Sequence, residues 1–136
     1  MACRRHSTGI YHCDSSHDWR ALLEAASAQD HLDPAVVAIT RQLRTWHGAL
    51  AWILDHITYQ DDPEGIELFR APTETIGAGV GDCDDIARLL RAMLRALHLP
   101  ARYVYWTDER GELAHVAVQV PGIGIIDPTA ELQRHD

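Results

Sequence analysis

The chain of 136 residues is long enough for one domain with a modest core, and its 46% apolar and 24% charged residues are typical of a globular protein. The formal net charge of −8 argues against binding to nucleic-acid phosphates. The sequence contains no apolar run of about 18 residues that would predict a membrane span. The 3 cysteines exclude a full disulfide framework, and the N-terminus has no apolar stretch suited to a signal peptide. We therefore expect a cytosolic protein with reduced thiols.

The first segment of the chain, residues 1–17, is polar, rich in His, Ser and Cys, and without periodicity. It predicts a flexible tail ahead of a single domain that spans residues 18–136. The tail contains five side chains that could bind zinc: Cys3, His6, His12, Cys13 and His17. Their spacing is irregular, whereas structural zinc sites pair their ligands at short, regular intervals. Zinc binding by the tail is therefore the less favoured alternative, and we expect no metal and no cofactor.

The next segments show helical periodicity. Four residues after position 18 fall on one helical face: Trp19, Leu22, Leu23 and Ala26. Asp33 followed by Pro34 is typical of an N-cap with proline at the first helical position. The apolar residues of 34–57 then recur at near-helical intervals and predict a long, mostly buried helix that is broken near Gly48. Residues 59–79 contain 2 prolines and 3 glycines and predict a loop.

A cysteine among three aspartates follows this loop, in the stretch GVGDCDDIARLL. Six apolar residues form a helical stripe after it: Ile86, Leu89, Leu90, Met93, Leu94 and Leu97. Cys83 is then expected in the first helical turn, where the helix dipole and unpaired N–H groups favour the thiolate. Three arginines lie off the stripe and are expected to face water: Arg88, Arg91 and Arg95.

The three aspartates are explained by the same helix start. Asp82, Asp84 and Asp85 would stabilise the N-terminal end of the helix, and one of them can cap it, so we interpret them as helix charges and not as metal ligands. Their negative charge also opposes formation of a thiolate on Cys83. The helix dipole alone would not activate this cysteine, which therefore needs a cationic partner.

Three predicted strands supply that partner: residues 101–106, 113–120 and 125–127 are separated by tight turns and predict an antiparallel meander. His115 lies near the start of the second strand and Asp127 at the end of the third, so the two side chains can be neighbours. If the sheet packs on the Cys83 helix, histidine would take the thiol proton and form an ion pair, while aspartate orients the ring. We expect this ion pair to outweigh the aspartates and to lower the pKa of the thiol.

The segments GDCDDIARLLRAMLRALHLPARYV, HVAVQV and DPT, in that order, resemble the transglutaminase-like superfamily of papain-type cysteine enzymes. That family places its nucleophile in a G-D-C-x-[DE] turn at a helix start, and takes its histidine and aspartate from the following strands. The resemblance implies that Cys83, His115 and Asp127 are catalytic. The stretch YQDDPEGIELFRAPTETI also resembles small versions from tailed bacteriophages and prophages, so association with a virion is an alternative location. His98 departs from the pattern, because the family usually has glycine there.

Each of these residues also has a structural interpretation. Cys83 can be a small buried hydrophobic residue, His115 a core histidine and Asp127 a turn former. Three further residues are candidates for the cleft or for an oxyanion hole: Tyr59, Gln60 and Trp106.

The sequence therefore predicts an α+β fold in which helices pack on one face of a small antiparallel sheet, with the nucleophile at a helix N-terminus. The expected function is acyl transfer from an amide or ester through a thioester, with water as the first acceptor, as in a peptidase or deamidase acting on a peptide or protein amide. The alternative is a non-catalytic binding or assembly module of a phage-like particle that retains the fold. The sequence leaves the substrate, the acyl acceptor and the oligomeric state open.

Overall fold

The computed structural model describes residues 3–7, 10–13, 16–61, 67–68, 70–110 and 113–134. In chain order the elements are β1 (Cys3–Ser7), β2 (Ile10–Cys13), α1 (Ser16–Ala26), a 3₁₀ turn (Asp30–Leu32), α2 (Pro34–Leu43), α3 (Trp46–His56), β3 (Thr58–Tyr59), β4 (Glu67–Leu68), α4 (Pro72–Ala78), β5 (Val80–Gly81), α5 (Cys83–Ala96), β6 (Arg102–Thr107), β7 (Leu113–Val120), β8 (Gly124–Ile126) and α6 (Pro128–Arg134). None of the helices in these ranges has the length and apolar character that crossing a bilayer requires.

The strands that follow α5 form the predicted antiparallel meander, in the order β6–β7–β8. α5 packs against β7, and the side chains of Val116, Val118 and Val120 are buried in the core that the two elements share. Two smaller groups of strands complete the described structure: β1–β2–β4, which is antiparallel, and the parallel pair β3–β5. The α+β fold class predicted from the sequence is confirmed.

The arginines of α5 do not face water as predicted, because the middle of this helix is buried on every side. Arg88 and Arg91 are only 6% and 4% exposed, and Arg95 is half-buried. Arg88 donates two hydrogen bonds to the Asp30 carboxylate, at 2.7 and 3.0 Å, and Arg91 donates to the Ser27 hydroxyl at 2.9 Å. The prediction is wrong because α1 and the 3₁₀ turn cover this side of α5 and bring acceptors that lie far away in the sequence.

The long helix predicted over residues 34–57 is two helices, and the break falls at Arg44–Thr45 instead of Gly48. Arg44 has the left-handed φ of 60°, and the Thr45 hydroxyl caps α3 by accepting from the Gly48 N–H at 3.1 Å. Gly48 still matters, because a Cβ there would lie 2.8 Å from the Leu43 carbonyl oxygen. The glycine therefore permits the close approach of the two helices beside the break.

Two short helices lie where the sequence predicts none: α4 within the predicted loop and α6 after the last strand. Both begin with proline, Pro72 and Pro128, as α2 does with Pro34. The predicted cap at Asp33 is confirmed, since its carboxylate accepts from a first-turn N–H at 2.9 Å. The same signal was not sufficient for α4 and α6, because seven residues are too few to show helical periodicity.

Strands β1 and β2 lie within the segment that the sequence predicts as a flexible tail. They pair with each other, and β2 pairs with β4 through Ile10–Leu68 and Tyr11–Glu67. This pairing depends on a segment distant in sequence, which the composition of the tail does not reveal. The side chains considered for zinc binding are not among those that the structure describes, although the backbone of these strands is, so zinc binding stays an alternative.

The C-terminal end of α5 explains why glycine, and not histidine, is the usual residue at the position of His98. His98 has a φ of 67°, and its N–H donates to the Arg95 carbonyl at 2.9 Å while the Leu99 N–H donates to the Leu94 carbonyl at 3.0 Å. This pair of bonds is a Schellman motif, whose left-handed position favours glycine.

We therefore expect His98→Gly to raise the free energy of unfolding by about 1 kcal/mol, because it removes the penalty of a Cβ in the left-handed region. Chemical denaturation measures this change. His98→Ala is the matched control, since it keeps the Cβ and should give no such gain. Equal stabilities for the glycine and alanine variants would contradict the interpretation.

The ion pair between Arg88 and Asp30 gives a second expectation. Asp30→Ala should lower the free energy of unfolding by about 3 kcal/mol, because it leaves the buried guanidinium without its carboxylate. Asp55→Ala removes the same charge from an exposed position and should change the stability little. If both variants unfolded at the same denaturant concentration, the buried pair would not stabilise the fold.

Candidate active site

Cys83 is the first residue of α5, as the sequence predicts. Asp82 is the N-cap, and its carboxylate accepts from the Asp85 N–H at 3.2 Å. In return, the Asp85 carboxylate accepts from the Asp82 N–H at 3.2 Å. This reciprocal capping box fixes the residue at which the helix begins, and therefore the direction in which the Cys83 side chain projects from the helix.

Asp85 does more than place charge at the helix start. It is 1% exposed and accepts two hydrogen bonds from Arg70, at 3.0 Å from the backbone N–H and at 2.7 Å from the guanidinium. Gly81 lies against it, because a Cβ at Gly81 would be 2.8 Å from the Asp85 Cβ. Asp85 therefore connects the segment before α4 to the turn that presents Cys83. The sequence gives no signal for Arg70 at this place.

The Cys83 thiol is free, half-buried, and lies between a carboxylate and a strand. Its Sγ donates towards the Asp84 carboxylate at 3.7 Å, which is within the range of a sulfur hydrogen bond. On the other side the sulfur faces β7, where the backbone N–H of Val116 favours the ionised form of the thiol and so lowers its pKa. Val116 directly follows His115, so the nucleophile candidate lies beside the strand that carries the histidine candidate.

The surroundings of Cys83 favour the neutral thiol. Burial raises its pKa above the ordinary value, and the negative charges of Asp84 and Asp82 raise it further, while the Val116 N–H lowers it. The sequence-based expectation of a lowered pKa is therefore wrong. The largest contribution is the loss of hydration, and this depends on packing that the sequence pattern does not reveal. At neutral pH the resting form is the thiol.

His115 and Asp127 are in direct contact, as the strand positions predict. The distance from His115 Nε2 to Asp127 Oδ2 is 2.6 Å. The other carboxylate oxygen accepts from the Thr129 N–H at 3.2 Å, at the start of α6, so Asp127 is also a turn residue. Because an ionised carboxylate only accepts hydrogen bonds, we assign the ring proton to Nε2. This tautomer leaves Nδ1 as the nitrogen that can accept a proton.

The indole of Trp106 covers this histidine. The two residues are paired across β6 and β7, and their ring centroids are 5.5 Å apart. Trp106 is 41% exposed, which is unusual for a tryptophan in a small domain, so one edge of the candidate site is an accessible aromatic surface.

The other two cleft candidates lie on the opposite side of Cys83, in and after β3. β3 pairs with β5 directly ahead of Asp82, and the Gln60 N–H donates to the Gly81 carbonyl at 2.9 Å. The Gln60 side chain is exposed. The Tyr59 hydroxyl donates to Asp61 at 2.6 Å, and burial raises its pKa, with a further contribution from the nearby Cys83.

Among the described side chains, no group of three or more His, Cys, Asp or Glu is arranged to hold a metal ion. Asp82, Asp84 and Asp85 are instead occupied by the helix cap, the thiol and Arg70. The site thus consists of a thiol, a histidine–carboxylate pair, helix-start N–H groups and an exposed indole.

Comparison with known proteins adds the family. The model of the transglutaminase-like superfamily matches residues 33–123, about two thirds of the chain, and this range contains Cys83 and His115. No curated protein matches the chain. The crystal structure of a candidate cysteine protease from Cytophaga hutchinsonii matches with a TM-score of 0.50 and 22% identity, over 85% of this chain and 43% of that one. This likeness supports the fold, and the chain spans less than half the length of that protein.

The electrostatics of Cys83 predict its alkylation behaviour. In a Cys3→Ser/Cys13→Ser background, iodoacetamide should modify Cys83 only at higher pH than it modifies N-acetylcysteine amide, because burial and two carboxylates raise the pKa of the thiol. Asp84→Asn should move the pH profile of the alkylation rate downwards, since it removes one negative charge. Asp55→Asn is the control and should leave the profile unchanged. A parent profile at or below the reference would contradict the assignment.

Proposed function

Because the chain belongs to the transglutaminase-like superfamily, we propose that it is a cysteine enzyme that transfers an acyl group through a thioester on Cys83. The observation that carries the proposal is the His115–Asp127 hydrogen bond at 2.6 Å, on the strand that packs against the helix of Cys83. Nucleophilic catalysis by cysteine requires a histidine that is held by a carboxylate and lies within reach of the thiol, and we propose that His115 and Asp127 supply this pair for Cys83.

In the first step of the proposed reaction, Cys83 Sγ attacks the carbonyl carbon of an amide. Since the resting form is the thiol, His115 Nδ1 takes its proton as the C–S bond forms, and the carbonyl oxygen becomes an oxyanion. The Asp127 carboxylate stabilises the resulting imidazolium through Nε2–H. The hydrogen bond from the thiol to the Asp84 carboxylate must break before this transfer.

The oxyanion needs hydrogen-bond donors near the helix start. The first N–H groups of a helix have no acceptor within it, so the Cys83 N–H is the donor that we propose. Tyr59 in β3 and Gln60 directly after it lie beside β5, the strand just ahead of the helix start, and are candidates for a second donor. The Trp106 indole would shield the histidine and the scissile bond from water during the first step.

In the second step the C–N bond of the tetrahedral intermediate breaks, and the imidazolium of His115 gives its proton to the departing amine. This leaves a thioester on Cys83 and a neutral histidine. Water then attacks the thioester carbonyl while His115 takes one of its protons. The C–S bond of the resulting tetrahedral intermediate breaks, His115 returns the proton to Sγ, and the carboxylic acid leaves with the thiol of Cys83 regenerated. Hydrolysis of a peptide or protein amide is the outcome that we propose; an amine in place of water would give transfer.

One observation favours a second candidate function. The neutral thiol of Cys83, kept so by burial and by Asp84, is also what a non-catalytic module would show. A binding or assembly module of a phage-like particle that retains the fold is therefore the competing proposal. We propose a location in the cytosol, with association with a virion as the alternative.

Turnover of a library of fluorogenic peptide amides and esters tests the proposal. The parent should hydrolyse a subset, Cys83→Ala should abolish this activity, and Asp127→Asn should reduce kcat by about 10²- to 10⁴-fold with the fold intact, because the amide can orient the wrong tautomer. Asp55→Asn is the matched control and should retain the parent rate. Full activity of Asp127→Asn would reduce Asp127 to a turn residue, and absence of turnover in a folded parent would favour the module.

A further inference from the structure

A second concave surface lies at the end of α5 that is remote from Cys83. It is a groove of about 800 Å³ between the C-terminal ends of α2 and α5 and the 3₁₀ turn, open to solvent along one side. Arg95 in its wall is twelve residues after Cys83 in the same helix, about 18 Å along the axis. The groove is thus separate from the candidate active site, and we name it the α2–α5 groove.

The α2–α5 groove is cationic in a chain whose net charge is −8. Five basic side chains line it: His31, Arg41, Arg44, Arg95 and His98. Its lining contains no Asp or Glu. Within the described part of the chain, neither Arg41 nor Arg44 forms an ion pair, and both are exposed. Two guanidinium groups are therefore available to carboxylates from outside.

The backbone places two of these basic residues in an uncommon conformation. In the described ranges, the non-glycine residues with a left-handed φ are Arg44 at 60° and His98 at 67°, and both line the α2–α5 groove. Both residues end a helix, where a left-handed residue is common, and the groove lies between these two helix ends, so both basic residues line it.

The floor between these cations is apolar. Leu32 at the rim is 61% exposed, the largest exposed fraction among the large apolar side chains that the structure describes, and Val37 and Leu97 are half-buried beside it. A site for a small molecule usually encloses most of its ligand. An open groove with an apolar floor and arginines at its edge instead suits an extended segment that combines apolar and acidic residues.

We propose that the α2–α5 groove docks an acidic peptide segment of a partner protein, with an apolar side chain against Leu32 and carboxylates on Arg41 and Arg44. The charge complementarity of arginine and carboxylate determines this choice of partner, because the planar guanidinium binds carboxylates in a bidentate manner. The docking surface does not depend on the acyl-transfer chemistry of Cys83.

Fluorescence anisotropy with labelled peptides tests the proposal. The probes are hexapeptides of four Glu and two Leu, with the leucine positions varied, and the same peptides with Gln in place of Glu. At least one acidic peptide should bind the parent saturably, and the Gln peptides should not. Arg41→Gln/Arg44→Gln should weaken this binding by about tenfold or more. Arg102→Gln/Arg110→Gln removes two exposed arginines elsewhere and should leave it unchanged.

Leu32→Ser gives an independent check of the apolar contact, and it should also weaken binding of the acidic peptide, without affecting the fold because Leu32 is exposed. Equal binding by the parent and by both groove variants would overturn the proposal. Saturable binding of pyrophosphate with no binding of any acidic peptide would instead indicate a small-anion site. Self-association that is lost in Arg41→Gln/Arg44→Gln would identify a second copy of the chain as the occupant and would equally overturn a partner protein.

Discussion

The buried carboxylate of Asp85 is the interaction on which the candidate site depends. It accepts from the Arg70 backbone, the Arg70 guanidinium and the Asp82 N–H, and so connects the segment before α4 to the start of α5. A buried charge is costly unless it is paired, so any other start of this helix would leave Asp85 without its partners. The position of Cys83, two residues earlier, follows from this constraint.

The same acidic helix start sets the chemistry that we propose. Burial, together with the charges of Asp84 and Asp82, raises the pKa of Cys83 and favours the neutral thiol as the resting form. The base must then act at the moment of attack, which requires a histidine with a fixed tautomer. The Asp127 carboxylate supplies that orientation from the end of β8, and the Thr129 N–H holds the carboxylate in turn.

Two features of this site could be predicted from the local sequence pattern. Asp82–Cys83 predicted the start of α5, and the alternation in β7 placed His115 within reach of Asp127 across a short turn. The burial of Arg88 could not be predicted, because its partner Asp30 reaches it only through tertiary packing. The predicted direction of the Cys83 pKa was wrong for the same reason: the largest contribution is the loss of hydration, whose extent depends on how α5 packs on the sheet.

In the proposed reaction Asp127 holds His115 with its proton on Nε2, so that Nδ1 is the base for Cys83. Nitrogen-15 NMR of the histidine ring measures the position of this proton. At neutral pH His115 should be the Nε2–H tautomer, Asp127→Asn should disturb this tautomer, and Cys83→Ala should shift the Nδ1 resonance. A ring protonated at Nδ1, or an Nδ1 resonance that is insensitive to Cys83→Ala, would contradict this role of His115.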